Sequence, residues 1–261
     1  MVQGVPTTRT VPKPVECPKC DGVGLVRVEV SGLWVSKACE CQGAKRIAAV
    51  LARAKIPERY AHCTFDNYKP DYSGADQSLS SALMYVRHFA NTYPLEKDRG
   101  ILLTGSIGCG KTHLAASALK WIIEQRGAEG LFCDYRELLR SIQNSYNPQV
   151  SATEMEILTP VMNAEVLILD DLGAIRPSEW VWDTVSLVLN ARYNAVRTTI
   201  ITTNYAVLPP GAGGMKEETL GDRIGERMRS RLLEMCRVVD MTGADYRAGI
   251  DKKKPSPTRV K

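Results

Sequence analysis

The stretch Gly105-Ser106-Ile107-Gly108-Cys109-Gly110-Lys111-Thr112 constrains this chain more than any other, because it matches G-x-x-x-x-G-K-[ST]. A short apolar run, Ile101–Thr104, precedes it, and a helical pattern, Thr112–Gln125, follows. Glycines let a backbone wrap around phosphate with its amides pointing inward, and the helix N-terminus adds partial positive charge. The spacing assigns the whole loop, Gly105 to Thr112, to a nucleotide such as ATP. Lys111 reaches the β- and γ-phosphates, and the Thr112 hydroxyl ligates Mg2+.

Further strands alternate with helical segments after Arg99. Leu131–Cys133 precedes the helix Tyr135–Asn144, Val166–Leu169 precedes Trp180–Val196, and Thr199–Thr202 is followed, after Pro209–Gly214, by Leu220–Leu233. This βαβα order predicts a parallel sheet with helices on both faces. The run Val166–Leu169 ends in Asp170 and Asp171, and an acid at the C-terminal edge of a parallel strand faces the nucleotide's metal. Asp170 is assigned to Mg2+ through water and Asp171 to polarising the attacking water. Adjacent side chains on a strand point opposite ways, so one of them is open to a structural role. Asn204, at the end of the run Ile200–Asn204, orients the hydrolytic water, senses the γ-phosphate, or is an ordinary turn residue.

The cysteines divide the chain. Of eight, four lie between Cys17 and Cys41, and the rest are scattered singly. Cys17-Pro18-Lys19-Cys20 and Cys39-Glu40-Cys41 bring two close pairs that make a tetrahedral Zn2+ site, with redox-active or unliganded thiols as the alternative. The glycines of Asp21-Gly22-Val23-Gly24 allow backbone amides to face sulfur. Leu25–Val30 and Trp34–Lys37 read as a hairpin around Ser31-Gly32. So small a unit has little core, and metal supplies much of its stability. A disulfide scaffold would spread its cysteines through a short secreted chain, so a reduced, cytoplasmic protein fits better.

Within 261 residues this organisation gives a lead-in (1–14), a zinc-binding unit (15–43), a linker and helical segment (44–98), an ATPase domain (99–250) and a basic tail (251–261). The linker opens on a helical pattern, Ala44–Lys55, with Ile47, Val50, Leu51 and Ala54 on one face and basic residues around it; Pro57 ends it. Lys plus Arg is 34 against 29 for Asp plus Glu, a net +5 that permits nucleic-acid binding without arguing for it. No apolar run approaches membrane-spanning length, and no membrane partner is expected.

Several motifs in order resemble the AAA+ ATPases, and more narrowly the DnaC/DnaI/IstB-like helicase loaders and transposition helpers. They are GSIGCGKTHLA, LILDDLGAIRPSEW followed by NARYN, IITTN, GERMRSRLLEM leading to GADYR, and upstream IPERYAHCTFDNY. The resemblance implies an α/β fold: an AAA+ P-loop NTPase with a parallel five-stranded sheet between helices, plus a small N-terminal zinc-binding domain. It places an arginine finger, acting on a neighbour's nucleotide, at Arg231 or one turn earlier at Arg227, with Arg223 extending the row. Arg247 matches the second sensor arginine, which touches its own subunit's nucleotide. As in the small loaders of the group, no helical lid follows, so adenine contacts fall to a segment such as Tyr60–Tyr68. The zinc pattern resembles DnaI-type loaders. The function implied is ATP-dependent loading of a hexameric DnaB-type replicative helicase onto single-stranded DNA, with self-association into an oligomer or spiral. A transposase helper and a nucleotide-gated adaptor with little turnover are the alternatives.

Overall fold

The computed structural model describes residues 17–21, 23–30, 32–95, 100–176, 178–207 and 218–251. The expected lead-in, the turn residue Ser31, the Pro209–Gly214 loop and the basic tail past Asp251 lie outside them. The described residues form two compact units, one up to Ala49 and one from Val50.

In the first unit, strands β1 (Leu25–Val30) and β2 (Leu33–Ala38) pair antiparallel, Leu25 opposite Ala38 and Val28 opposite Val35. Every residue of β2 is exposed, Leu33 and Trp34 included. Helix α1 (Glu40–Arg53) follows and runs past Val50. It stops where Lys55 takes a left-handed φ of 54°, two residues before Pro57.

The second unit continues with α2 (Glu58–Ala61), α3 (Gln77–Thr92), β3 (Gly100–Gly105), α4 (Lys111–Arg126), β4 (Gly130–Asp134), α5 (Tyr135–Ser145) and α6 (Glu154–Asn163). Then come β5 (Val166–Asp170), α7 (Glu179–Asn194), β6 (Thr198–Thr202), α8 (Leu220–Ile224), α9 (Glu226–Met235), β7 (Cys236–Met241) and α10 (Tyr246–Asp251). Five strands form one parallel sheet in the order β4-β5-β6-β3-β7. Alternate residues face opposite ways along each strand. Ile101, Leu103, Ile168 and Ile200 pack against α3 and α4, with Leu79, Val86 and Leu119 among their neighbours. Leu102, Leu167, Leu169 and Ile201 pack with residues of α5 to α9, Leu139, Leu158, Val185 and Leu232 among them. The sheet is thus covered on both faces. No described helix is long and apolar enough to cross a membrane.

The expected helix over Leu220–Leu233 is two helices. Gly225 takes φ 88°, a value open to glycine at little cost, and closes α8 before α9 starts. Arg223 therefore does not extend the row of Arg227 and Arg231. It is buried on α8, donating to the carbonyls of Gly173 and Ile175 and to Glu218, with its guanidinium 4.7 Å from the centre of the Tyr205 ring.

The sequence reading located neither α6 nor β7. Pro160 inside α6 argues against a helix, which starts nonetheless from a capping box between Thr153 and Glu156. In β7, Arg237 and Asp240 interrupt the apolar run that marks the other strands.

Arg192 fastens the lower half of the sheet. It is fully buried on α7. Its guanidinium donates to the carbonyls of Val161 and Met162 in the last turn of α6 and of Ala164 just past it, and to Thr198 O and Thr199 Oγ1 on β6. Those carbonyls lack partners within their own helix, and one planar fork satisfies several of them. Burial draws its pKa down to about 9, so it is still charged at neutral pH. We expect Arg192→Ala to destabilise the fold by roughly 3 kcal/mol or more in denaturant unfolding, with Arg192→Lys recovering little, because a lysine cannot reproduce the fork.

Candidate nucleotide-binding site and metal centre

The loop Gly105–Thr112 leaves the C-terminal end of β3 and enters α4. Gly105, Gly108 and Gly110 all have positive φ. Side chains have no room here either: a Cβ on Gly105 would lie 2.2 Å from the Met241 carbonyl oxygen, and one on Gly108 would meet the Asp245 carboxylate. The Lys111 ammonium is buried and donates to Gly105 O at 2.9 Å and Ser106 O at 2.7 Å. Burial holds its pKa below the ordinary lysine value, and the Arg247 charge acts in the same direction. The loop is closed from behind by the last residue of β7 and the chain after it. Ser106 N donates to Met241 O, and Tyr246 N donates to Gly108 O. Cys109 is buried, its thiol turned to Ser106 O and Met241 O; burial pushes it up and away from the thiolate.

Asp170 ends β5, with β6 between it and β3, and its Oδ1 accepts from Thr112 Oγ1 at 2.8 Å and from Thr202 Oγ1 at 2.6 Å. Burial raises its pKa and the two hydroxyls oppose that shift. Thr112 and Asp170 thus bring two hard oxygen donors together beside the loop, a set that suits Mg2+.

Asp171 turns the other way, at φ 58°. Its Oδ1 accepts from Asn204 Nδ2 at 2.9 Å, and its Oδ2 lies 3.0 Å from the Arg136 guanidinium at the start of α5. The structure therefore groups Lys111, Thr112, Asp170, Asp171 and Asn204 at one end of the sheet. Thr202 was missed in the sequence, although it stands two residues before Asn204 in the same run. Arg136 was missed as well, because an exposed arginine on a helix carries no signal of its partner.

The segment Tyr60–Tyr68 lies against the same loop. Tyr68 Oη donates to Cys109 O at 2.8 Å, and its ring would meet a Cβ on Gly110. His113 Nε2 is 3.0 Å from Thr64 O. Burial raises the Tyr60 pKa, and the Asp170 charge adds to it.

Arg247 forms a two-pronged pair with Asp245, Nε to Oδ1 at 3.0 Å and Nη2 to Oδ2 at 3.2 Å. On α9, Arg231 is bound to Asn190 Oδ1 and lies 5.6 Å from the Tyr193 ring centre. Arg227, one turn earlier, is exposed and has no hydrogen bond or ion pair among the described residues. Neither arginine contacts the phosphate loop of its own chain among those residues.

In the first unit the four sulfurs of Cys17, Cys20, Cys39 and Cys41 lie within 4.8 Å of one another. Cys17 and Cys39 are 3.8 Å apart, and Cys20 and Cys41 are 3.5 Å apart. A tetrahedron with Zn–S arms near 2.3 Å has edges of about 3.8 Å, so this donor set fits Zn2+. The Gly24 amide donates to Cys20 Sγ at 3.3 Å and lowers that thiol's pKa, the amide-to-sulfur contact expected from the glycines of this turn.

The sequence model of the IstB-like ATP binding proteins matches residues 29–254. The replicative helicase loader DnaC of Buchnera aphidicola subsp. Acyrthosiphon pisum is 26% identical over 186 residues, 71% of each chain. A crystal structure of the DnaC helicase loader superposes with a TM-score of 0.59 at 32% identity, covering 71% of this chain and 99% of that one. A crystal structure of DnaI, at 22% identity and the same TM-score of 0.59, shares the fold over 72% of this chain and 95% of its own.

Two outcomes are expected of the sites themselves. Lys111→Ala should abolish ATP binding, read by equilibrium titration, while the melting temperature stays close to wild type. About one zinc per chain should co-purify in reducing buffer and disappear from Cys17→Ser combined with Cys20→Ser, read by metal analysis, with the second unit still folded.

Proposed function

This chain belongs to the IstB-like ATP-binding family and has the AAA+ fold, and from that premise we propose that it is an ATP-dependent loader of a hexameric, DnaB-type replicative helicase onto single-stranded DNA. The observation that carries the ATPase part is the grouping of Lys111, Thr112, Asp170, Asp171 and Asn204 at the end of β3, β5 and β6. The observation that favours a loader over a transposase helper is the four-thiolate unit ahead of the core, beside relatives that are themselves named helicase loaders.

The roles follow from position. The loop amides and Lys111 hold the phosphates and neutralise charge that spreads over the γ-phosphoryl oxygens. The Gly105 and Ser106 carbonyls hold the Lys111 ammonium at the loop. Thr112 and Asp170 are the residues that would hold Mg2+, which supplies charge neutralisation between phosphates. Asp171 aligns the attacking water, and Asn204, on its Oδ1, fixes the direction of that carboxylate. Arg136 holds the other oxygen. The segment Tyr60–Tyr68 flanks the loop and is proposed to contact the base. Cys17, Cys20, Cys39 and Cys41 are proposed to hold Zn2+, which makes the first unit rigid enough to dock on the helicase.

Arg227 and Arg231 share one face of α9, and the finger is assigned to Arg231 with Arg227 beside it. Neither is bonded to its own phosphate loop among the described residues, and Arg231 is held instead by Asn190 and Tyr193, which supports a role toward a neighbour. This reading requires self-association when ATP is bound.

The full chain should form a complex of higher mass with a DnaB-type hexamer in the presence of ATP, read by native mass spectrometry. Capture of a transposase and no helicase would support the helper reading instead. Arg231→Ala should lower turnover, by up to the 10³–10⁵ range that arginine fingers supply, with ATP affinity nearly intact. Mixing it with Lys111→Ala subunits should restore part of the activity, because each supplies what the other lacks. A mixture no more active than either variant, under conditions where wild type assembles, would exclude a trans role for Arg231.

A further inference from the structure

Arg247 does not stand alone at the phosphate loop. It is gripped by Asp245, and the Asp245 carboxylate itself lies where a Gly108 side chain would be, against the backbone that faces phosphate. The backbone around this pair is held from two sides. Tyr246 N is bonded to Gly108 O, and Ala244 N to Gly74 O, while Ala75 and Gly243 form an antiparallel bridge. Tyr72 Oη donates to Ala244 O. The backbone that carries Asp245 is thus fixed, and the Arg247 amide donates to its Oδ1 at 3.0 Å, which holds the carboxylate in place independently of the Arg247 guanidinium. The two side chains are partly open to solvent, 37% for Asp245 and 59% for Arg247. A fixed anion with a movable cation beside a phosphate cradle is a competitor for that cation.

We propose that Asp245 is a specificity-determining residue of the nucleotide site: it competes with the terminal phosphate of a nucleoside triphosphate for Arg247, and so limits how strongly the triphosphate is preferred over the diphosphate. In the exchange, Arg247 leaves the carboxylate and pairs with the γ-phosphate. The uncovered carboxylate then faces a phosphate-laden loop, which opposes the exchange. A diphosphate lacks the γ-phosphate and leaves the Asp245–Arg247 pair intact. This inference rests on the assignment of Arg247 to the chain's own nucleotide, and it adds to that assignment a residue that restrains the arginine. The charge of Arg247 already acts on Lys111, which places the pair in the field of the loop.

The test titrates the full chain with two fluorescent probes, mant-AMPPNP and mant-ADP, in Mg2+, using wild type, Asp245→Asn, Asp245→Ala, Arg247→Ala and the double variant Asp245→Asn/Arg247→Ala. Removing the carboxylate should tighten mant-AMPPNP binding about two- to fivefold beyond any change for mant-ADP, the worth of a partly exposed ion pair. Asp245→Ala should move in the same direction as Asp245→Asn. The excess should vanish when Arg247 is already alanine. Equal shifts for both probes, weaker mant-AMPPNP binding, or an excess that survives in the Arg247→Ala background would overturn the competition. Lys111→Ala serves as the control. If it binds both probes like wild type, the nucleotide site itself is misassigned and the inference falls with it; if it does not bind, any failure above belongs to Asp245 alone.

Discussion

One buried carboxylate ties the upper edge of the sheet together. Asp170 accepts from Thr112 at the head of α4 and from Thr202 at the end of β6, so three neighbouring strands, β5, β6 and β3 with its loop, are referenced to a single oxygen. Burial works against that charge, and the two hydroxyls offset it, with the Lys111 ammonium attracting it as well. Within this chain, the loop and the acids therefore cannot be displaced independently. A shift of α4 reaches Asp170 directly, and through Thr202, whose hydroxyl also receives the Asp171 amide, it reaches the second acid.

The same economy applies at the opposite edge, where Arg192 plays for carbonyls the part that Asp170 plays for hydroxyls. Its guanidinium collects the end of α6 and the start of β6. Between these two polar anchors the strands are apolar on both faces; the backbone ladders set the strand spacing, and packing against the helices covers the sheet.

Much of this was legible in the amino-acid order. The loop glycines, Lys111 and the paired acids carry a chemical requirement that leaves few alternatives, and four strands announce themselves as apolar runs. The two pairs of cysteines, spaced as a zinc site would need them, stand in the structure with their four sulfurs together and a backbone amide turned to one of them. What was not legible depended on partners distant in the chain. Arg136 reads as a solvated helix residue until α5 is seen beside Asp171. Arg223 reads as a member of an arginine row until Gly225 breaks the helix. Strand β7 is hidden because an edge strand with one partner tolerates Arg237 and Asp240 where a central strand would not.

That edge strand has a mechanical meaning. It begins where the arginine-bearing helix α9 ends, and it finishes at the turn that sets Asp245 and Tyr246, the neighbours of Arg247, against the phosphate loop. All six of its residues are registered on β3, from Gly100 opposite Cys236 to Gly105 opposite Met241. Sliding by one residue would turn Met241 out of the core, so β7 travels with β3 as one body or stays still. On the proposed assignments, the arginines for a neighbour's nucleotide and for the chain's own then stand at the two ends of a single stiff rod. Force applied at a subunit boundary arrives at the phosphate loop along hydrogen-bonded strand, with no slack to take up on the way.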